Sequence, residues 1–179
     1  MRVDRSGWLP LARKLWHEQC QIPNMPWYLE EELSAGAFAA FLGVTFTGRS
    51  RWHSGAIGDC CLFLVRGDRL YRAFPIRRSR DFGNHPRLLC SCRQGRTAKV
   101  KRSRVTGDWR IGDVMLLATD ALAQWFLRNV EDGGEPWKEL LGVECQEQFE
   151  SLIQQTRDQN AIRNDDVTMV VVQSQVGVN

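Results

Sequence analysis

The stretch GDVMLLATDALAQWFL, residues 112–127, contains two kinds of segment in immediate succession. Val114 to Ala118 is a short apolar run entered from Gly112, which reads as a buried strand. Ala121 to Leu127 consists of strong helix formers that place Leu122, Trp125 and Phe126 on one face, with Thr119 or Asp120 available as N-cap. The order is therefore strand, aspartate, helix, with Asp120 at the exit of a core strand.

Upstream, Cys60 to Phe74 holds two strand-like runs around Arg66-Gly67-Asp68-Arg69, which predicts a β-hairpin. In this setting the Arg-Gly-Asp tripeptide is a turn, not an adhesion signal. The end of 37–46, Leu42-Gly-Val-Thr-Phe-Thr, favours a strand by its β-branched and aromatic content. A helix is expected over Leu9 to Gln19, stopped by Pro23 and Pro26, with a second starting near Trp27. Beyond Gly133-Gly134, Trp137 to Leu141 and Gln146 to Thr156 should form short amphipathic helices. The chain then reaches Val167-Thr-Met-Val-Val-Val, predicted to be a buried strand with Asp165 and Asp166 at its entrance.

Composition sets the outer bounds. The chain has 179 residues, 43% hydrophobic and 25% charged, with a net charge of +3. These values describe one globular domain with a real core and exclude a disordered polyelectrolyte. Its apolar runs fall short of the roughly 20 residues a membrane helix requires. The opening residues alternate charged and apolar side chains without a cleavable hydrophobic stretch, so a cytoplasmic location is expected, with the six cysteines as thiols that mostly fill the core. Charge is unevenly spread: residues 1–110 carry 20 basic and 9 acidic side chains, and 111–179 carry 4 and 12. The basic excess lies between Arg66 and Arg110 and suits phosphate groups. No nucleic-acid motif accompanies it, so a phosphorylated protein is the better match.

Asp120 leaves one predicted strand and Asp165 precedes another. If those strands are antiparallel neighbours, the two carboxylates share a rim, and Asp59, after Gly58, can reach it. Converging carboxylates repel unless a cation joins them, and oxygen ligands suit Mg²⁺ or Mn²⁺. The competing reading makes Asp120 a helix cap and Asp165-Asp166 a turn. Zinc is not favoured: Cys60-Cys61 and Cys90-Ser-Cys92 lack ligand spacing, and His17, His53 and His85 form no ligand motif. Nor does any cysteine open a Gly-rich phosphate cradle.

Three elements resemble the metal-dependent type 2C protein serine/threonine phosphatases. Gly58-Asp59-Cys60 is similar to that family's Gly-Asp-Ser. Residues 112–121 resemble its Gly-Asp, apolar strand, Ser-Asp-Gly, and Asn164-Asp165-Asp166-Val167-Thr168 resembles its terminal Asp-Asn-x-Thr. The resemblance covers roughly Ser54 to Val172. It implies an α+β fold, a partial α-β-β-α sandwich of mainly antiparallel sheets flanked by helices. It also implies a Mg²⁺ or Mn²⁺ centre at one rim, where metal-bound water is the nucleophile for phosphoserine and phosphothreonine hydrolysis. By position, Asp120 and Asp165 match metal ligands, and Asp59 matches the aspartate linked to a third, weaker ion.

The family's early Glu-Asp pair, Asp-Gly ligands, phosphate-binding arginine and catalytic histidine have no counterpart here. Residues 1–179 are therefore expected to form a single phosphatase-like domain lacking the N-terminal section, with weak or no activity alone. The alternative is a non-catalytic, phosphatase-derived binding or regulatory module. Thr119-Asp120-Ala121 replaces Ser-Asp-Gly, which implies an ordinary negative φ at Ala121.

Overall fold

The computed structural model describes residues 8–174 apart from 24, 28, 30–32, 34–35, 49, 84–85, 87 and 92–101. In chain order the elements are helix α1 (Trp8–Gln19), β1 (Phe38–Ala39), β2 (Phe41–Thr47), β3 (Arg51–Ile57), β4 (Cys61–Val65), β5 (Leu70–Phe74), a 3₁₀ turn (Ser79–Asp81), β6 (Leu89–Cys90), β7 (Ser103–Asp108) and β8 (Val114–Ala118). There follow α2 (Asp120–Glu131), α3 (Pro136–Leu141), α4 (Gln146–Asp158) and β9 (Met169–Gln173).

Every strand pair is antiparallel. One sheet has the order β2-β3-β7 and a second β5-β4-β8-β9, while β1 and β6 form a small separate pair. Side chains on a strand alternate between faces, so a strand covered on both sides must be apolar throughout. β4 meets that condition: Cys61, Leu62, Phe63, Leu64 and Val65 are all buried. Cys61, Phe63 and Val65 pack with Leu116 and Ala118 of β8 against α2, α3 and α4, whereas Leu62, Leu64 and Met115 pack with Trp52 and Ala56 of the other sheet. The result is a layer of helices, then two stacked sheets, the α+β sandwich the sequence predicts. Phe126 of α2 stacks on Phe63 of β4 with centroids 4.0 Å apart and an interplanar angle of 12°, tying the helix layer to the central strand.

The predicted hairpin forms across β4 and β5. Arg66 and Arg69 exchange backbone hydrogen bonds of 3.0 and 3.2 Å, and both Gly67 and Asp68 have positive φ, 55° and 57°. That is the primed two-residue turn whose twist matches the flanking strands. Trp137 Nε1 of α3 donates to Asp68 Oδ1 at 3.0 Å and so fastens the turn to the helix layer.

The structure differs from two expectations. The final strand is an edge strand rather than a buried one: Val170 and Val171 are exposed, because β9 pairs only with β8. Within the basic region, 103–108 form β7, with Arg104, Thr106 and Asp108 facing solvent and Val105 turned toward Trp52. Core filling by cysteine is limited among the described residues to Cys61; Cys20, Cys60 and Cys90 are half-buried and Cys145 is exposed. The helix expected from Trp27 lies largely outside the described residues, as do Arg93, Arg96, Lys99 and Lys101 of the basic region. No described helix is long and apolar enough to cross a membrane.

Candidate metal centre

Three strands of the central sheet end on one rim. Cys61 of β4 pairs with Ala118 of β8, which pairs with Met169 of β9. Pairing continues one step further, as Thr119 N–H donates to Thr168 O at 3.2 Å. Asp59 and Asp120 therefore stand two residues beyond their strand partners on the same edge, and Asp165 lies in the loop that enters it.

Each acidic residue is placed by its local backbone. Asp59 follows Gly58, whose φ of 94° favours glycine and where a Cβ would come within 2.8 Å of the Ala40 Cβ. Asp120 opens α2, which starts without a left-handed turn at Ala121, as its sequence requires. The N-cap position belongs to Thr119, but its hydroxyl does not cap the helix. It donates to Asp166 O at 3.2 Å and accepts from Thr168 N–H at 3.0 Å, joining the ends of β8 and β9. Asp165 Oδ1 accepts from the Asp166 N–H at 2.8 Å, the local turn use of aspartate.

Burial pushes the Asp59 carboxyl above its ordinary value, and the Asp120 charge pushes the same way. Asp165 adds to the rise, while the Asp59 backbone and Arg163 oppose it. Asp120 and Asp165 thus both lie within electrostatic reach of Asp59. The Cys61 thiol beside them is pushed up to about 12, chiefly by burial, which makes it inert at neutral pH.

Arg163 is the residue that sequence reasoning missed. Its guanidinium forms an ion pair with the Asp120 carboxylate, so the rim already contains a cation. The only signal for it was a base two positions ahead of Asp165 in Arg163-Asn164-Asp165-Asp166, which is indistinguishable from ordinary surface charge. The carboxylate oxygens are chemically suited to Mg²⁺ or Mn²⁺. Among the described residues, however, no three His, Cys, Asp or Glu side chains are gathered closely enough to hold a metal ion. As arranged, with Arg163 on Asp120, the rim does not fit a two-metal centre.

The second Gly-Asp element is structural. Asp113 is buried and receives Arg66 Nε and a terminal Arg66 nitrogen at 2.7 Å each, together with the Arg110 N–H at 2.8 Å. Burial raises its carboxyl, but these donors and the two arginine charges outweigh burial and hold it below the ordinary value. Arg66, counted in the sequence as part of a phosphate-attracting surface, is spent here.

No protein-family model matches the chain, and no curated protein does. Solved structures similar to it include PppA, a regulatory component of the type VI secretion system in Pseudomonas aeruginosa, at 16% identity over 93% of this chain and 69% of that one, with a TM-score of 0.49. The phosphatase domain of the cell-fate determinant SpoIIE from Bacillus subtilis matches at 14% identity over 97% of this chain and 76% of that one, TM-score 0.45. The photosystem II phosphatase PBCP matches at 14% identity over 69% of this chain, TM-score 0.40. This chain spans about half, 51%, of the PBCP length.

Proposed function

We propose that this chain is a type 2C phosphatase-like domain that holds a phosphorylated protein and, alone, hydrolyses phosphoserine and phosphothreonine weakly or not at all. The observation that carries this reading is the Arg163–Asp120 ion pair. Asp120 is the carboxylate best matched by position to a family metal ligand, and its charge is compensated by the protein itself. A guanidinium cannot lower the pKa of a bound water as a divalent ion does, so an arginine in this position supplies charge balance without a nucleophile.

A second reading, Mg²⁺- or Mn²⁺-dependent hydrolysis on Asp59, Asp120 and Asp165, is favoured by one observation: Asp59 is held on the rim by its backbone beside the Asp120 charge, where burial first, and then Asp120 and Asp165, raise its proton affinity. A cytoplasmic location belongs to the proposal and is in keeping with Cys20, Cys60, Cys61 and Cys145 being thiols.

The test is turnover of p-nitrophenyl phosphate and of a phosphoserine peptide in Mn²⁺. The expected rate equals that of Asp120→Ala. Robust turnover that Asp120→Ala abolishes replaces this reading with the second.

A further inference from the structure

A cavity of about 280 Å³ opens between α2 and the loop that joins α4 to β9. It is bounded by Gln124, Trp125 and Arg128 from the helix and by Asn160, Arg163 and Asn164 from the loop, and none of its lining residues is acidic. The lining thus combines two arginines, three carboxamide residues and Trp125. That donor set suits an oxyanion, since arginine and amide N–H groups bind phosphate oxygens, and, among the described residues, the one carboxylate paired with a lining residue, that of Asp120, is neutralised by Arg163. Sites for drug-sized ligands start near 300 Å³, so this one fits a single anionic group.

The cavity is preformed. Helix α4 ends with Asn160 in the left-handed conformation, φ 56°, where Asn160 N–H donates to Arg157 O at 2.8 Å and Ala161 N–H to Thr156 O at 3.0 Å. This pair of bonds is a Schellman motif. Buried Ile162 then anchors the loop in the helical core. On the facing helix, Gln124 Nε2 donates to Ser79 O at 3.2 Å, fixing the wall that adjoins Arg78 and Arg80. Among the described residues Arg128 forms no ion pair, whereas Arg163 is shared with Asp120 on the rim.

We infer that this cavity is a phosphate-group site, in which Arg128, with Arg163 and the surrounding amides, receives the phosphate of a phosphorylated side chain. The inference rests on the proposed function for its choice of ligand, but it needs neither a metal ion nor hydrolysis. Binding falls with added salt, because two arginine charges supply much of the attraction.

The test is titration of the full chain with a fluorescein-labelled phosphoserine peptide, with its unphosphorylated form, and with inorganic phosphate as competitor. Arg128→Glu should weaken phosphopeptide binding at least tenfold. Asn160→Asp, which keeps the left-handed backbone but adds a carboxylate, should weaken it in the same direction. Arg51→Glu, the same charge change on β3, should leave it unchanged, and circular dichroism verifies that each variant is folded. If inorganic phosphate competes at the peptide's own concentration, free phosphate is the ligand; if it competes only in large excess, the phosphorylated side chain is. Either result, together with the Arg128→Glu loss, supports the site. Phosphopeptide binding unaffected by Arg128→Glu and Asn160→Asp overturns the cavity while leaving the phosphoprotein-binding reading in place. Absence of phosphopeptide binding in every protein, or equal binding of the unphosphorylated peptide, overturns both.

Discussion

At the scale of single residues, two arginine–aspartate pairs do opposite kinds of work. Arg163 on Asp120 is partly exposed and rests on a loop, so it contributes little to stability and much to which cation the rim accepts. Removing it leaves the Asp120 charge beside Asp59 without compensation. Arg163→Ala should therefore gain thermal stabilisation by Mn²⁺ that the unaltered chain lacks, about 2.7 kcal/mol at a hundredfold excess of ion over its dissociation constant. Adding Asp120→Asn should abolish the gain; equal Mn²⁺ responses with and without Arg163 would show that it does not compete. In the Arg66–Asp113 pair, by contrast, a half-buried guanidinium grips a fully buried carboxylate through Nε and one terminal nitrogen. Asp113→Asn removes the charge partner of Arg66 and should cost about 3 kcal/mol in urea unfolding. Because the Asp113 carboxyl is held low in the fold, this contribution is complete above the ordinary value of 3.8 and is lost as pH falls through the depressed one. The difference between the two proteins should thus persist to strongly acidic pH.

At the scale of elements, legibility followed periodicity and turn chemistry. β4, β5, β8, α2, α3 and α4 were visible because their apolar runs are continuous or helically spaced and because Gly67-Asp68, Gly112-Asp113 and Gly133-Gly134 mark turns between several of them. β3 was not, because Arg51-Trp-His-Ser-Gly-Ala-Ile contains a glycine and small residues. They are tolerated by pairing with β2 and β7 on both sides and by Trp52 filling the space between sheets. β7 was obscured by Arg104, which faces solvent, and by the basic residues before it in sequence. The shared rim of Asp59, Asp120 and Asp165 follows from antiparallel pairing and could be anticipated; the Arg163 guanidinium on Asp120 could not, since nothing in sequence spacing tells where a long side chain lands. Helix ends give a quantitative check. α2 closes with Gly133 at φ 84°, its N–H donating to Val130 O and that of Gly134 to Asn129 O, the same motif that ends α4. No atom lies within 4 Å of where a Cβ would stand on Gly133, so Gly133→Ala tests the backbone alone. It should cost about 1 kcal/mol by denaturant unfolding.

At the scale of the whole molecule, the central sheet belongs to both cores. Its odd-numbered β4 residues support the helix layer and its even-numbered ones support the second sheet, so neither core can loosen without exposing the other face of the same strands. Trp52 is the largest fully buried side chain between the sheets, and its Nε1 donates to Asp108 O at 3.2 Å, holding β7 to β3. Its neighbour Gly107 has room for it only because glycine lacks a Cβ, which would stand 2.7 Å from the indole. Trp52→Ala removes that wedge and should cost about 3 to 5 kcal/mol. The loss is expected to appear as one transition: the far-ultraviolet signal of the helices, which Trp52 does not touch, should shift to the same lower denaturant midpoint as tryptophan fluorescence. Two separated midpoints, with the helices surviving the loss of the sheet-to-sheet core, would mean that α2, α3 and α4 with β4 and β8 form a unit stable by itself. The phosphate cavity depends on that helix layer and the rim on the central sheet. A single transition would therefore make any core substitution an indirect loss of both sites.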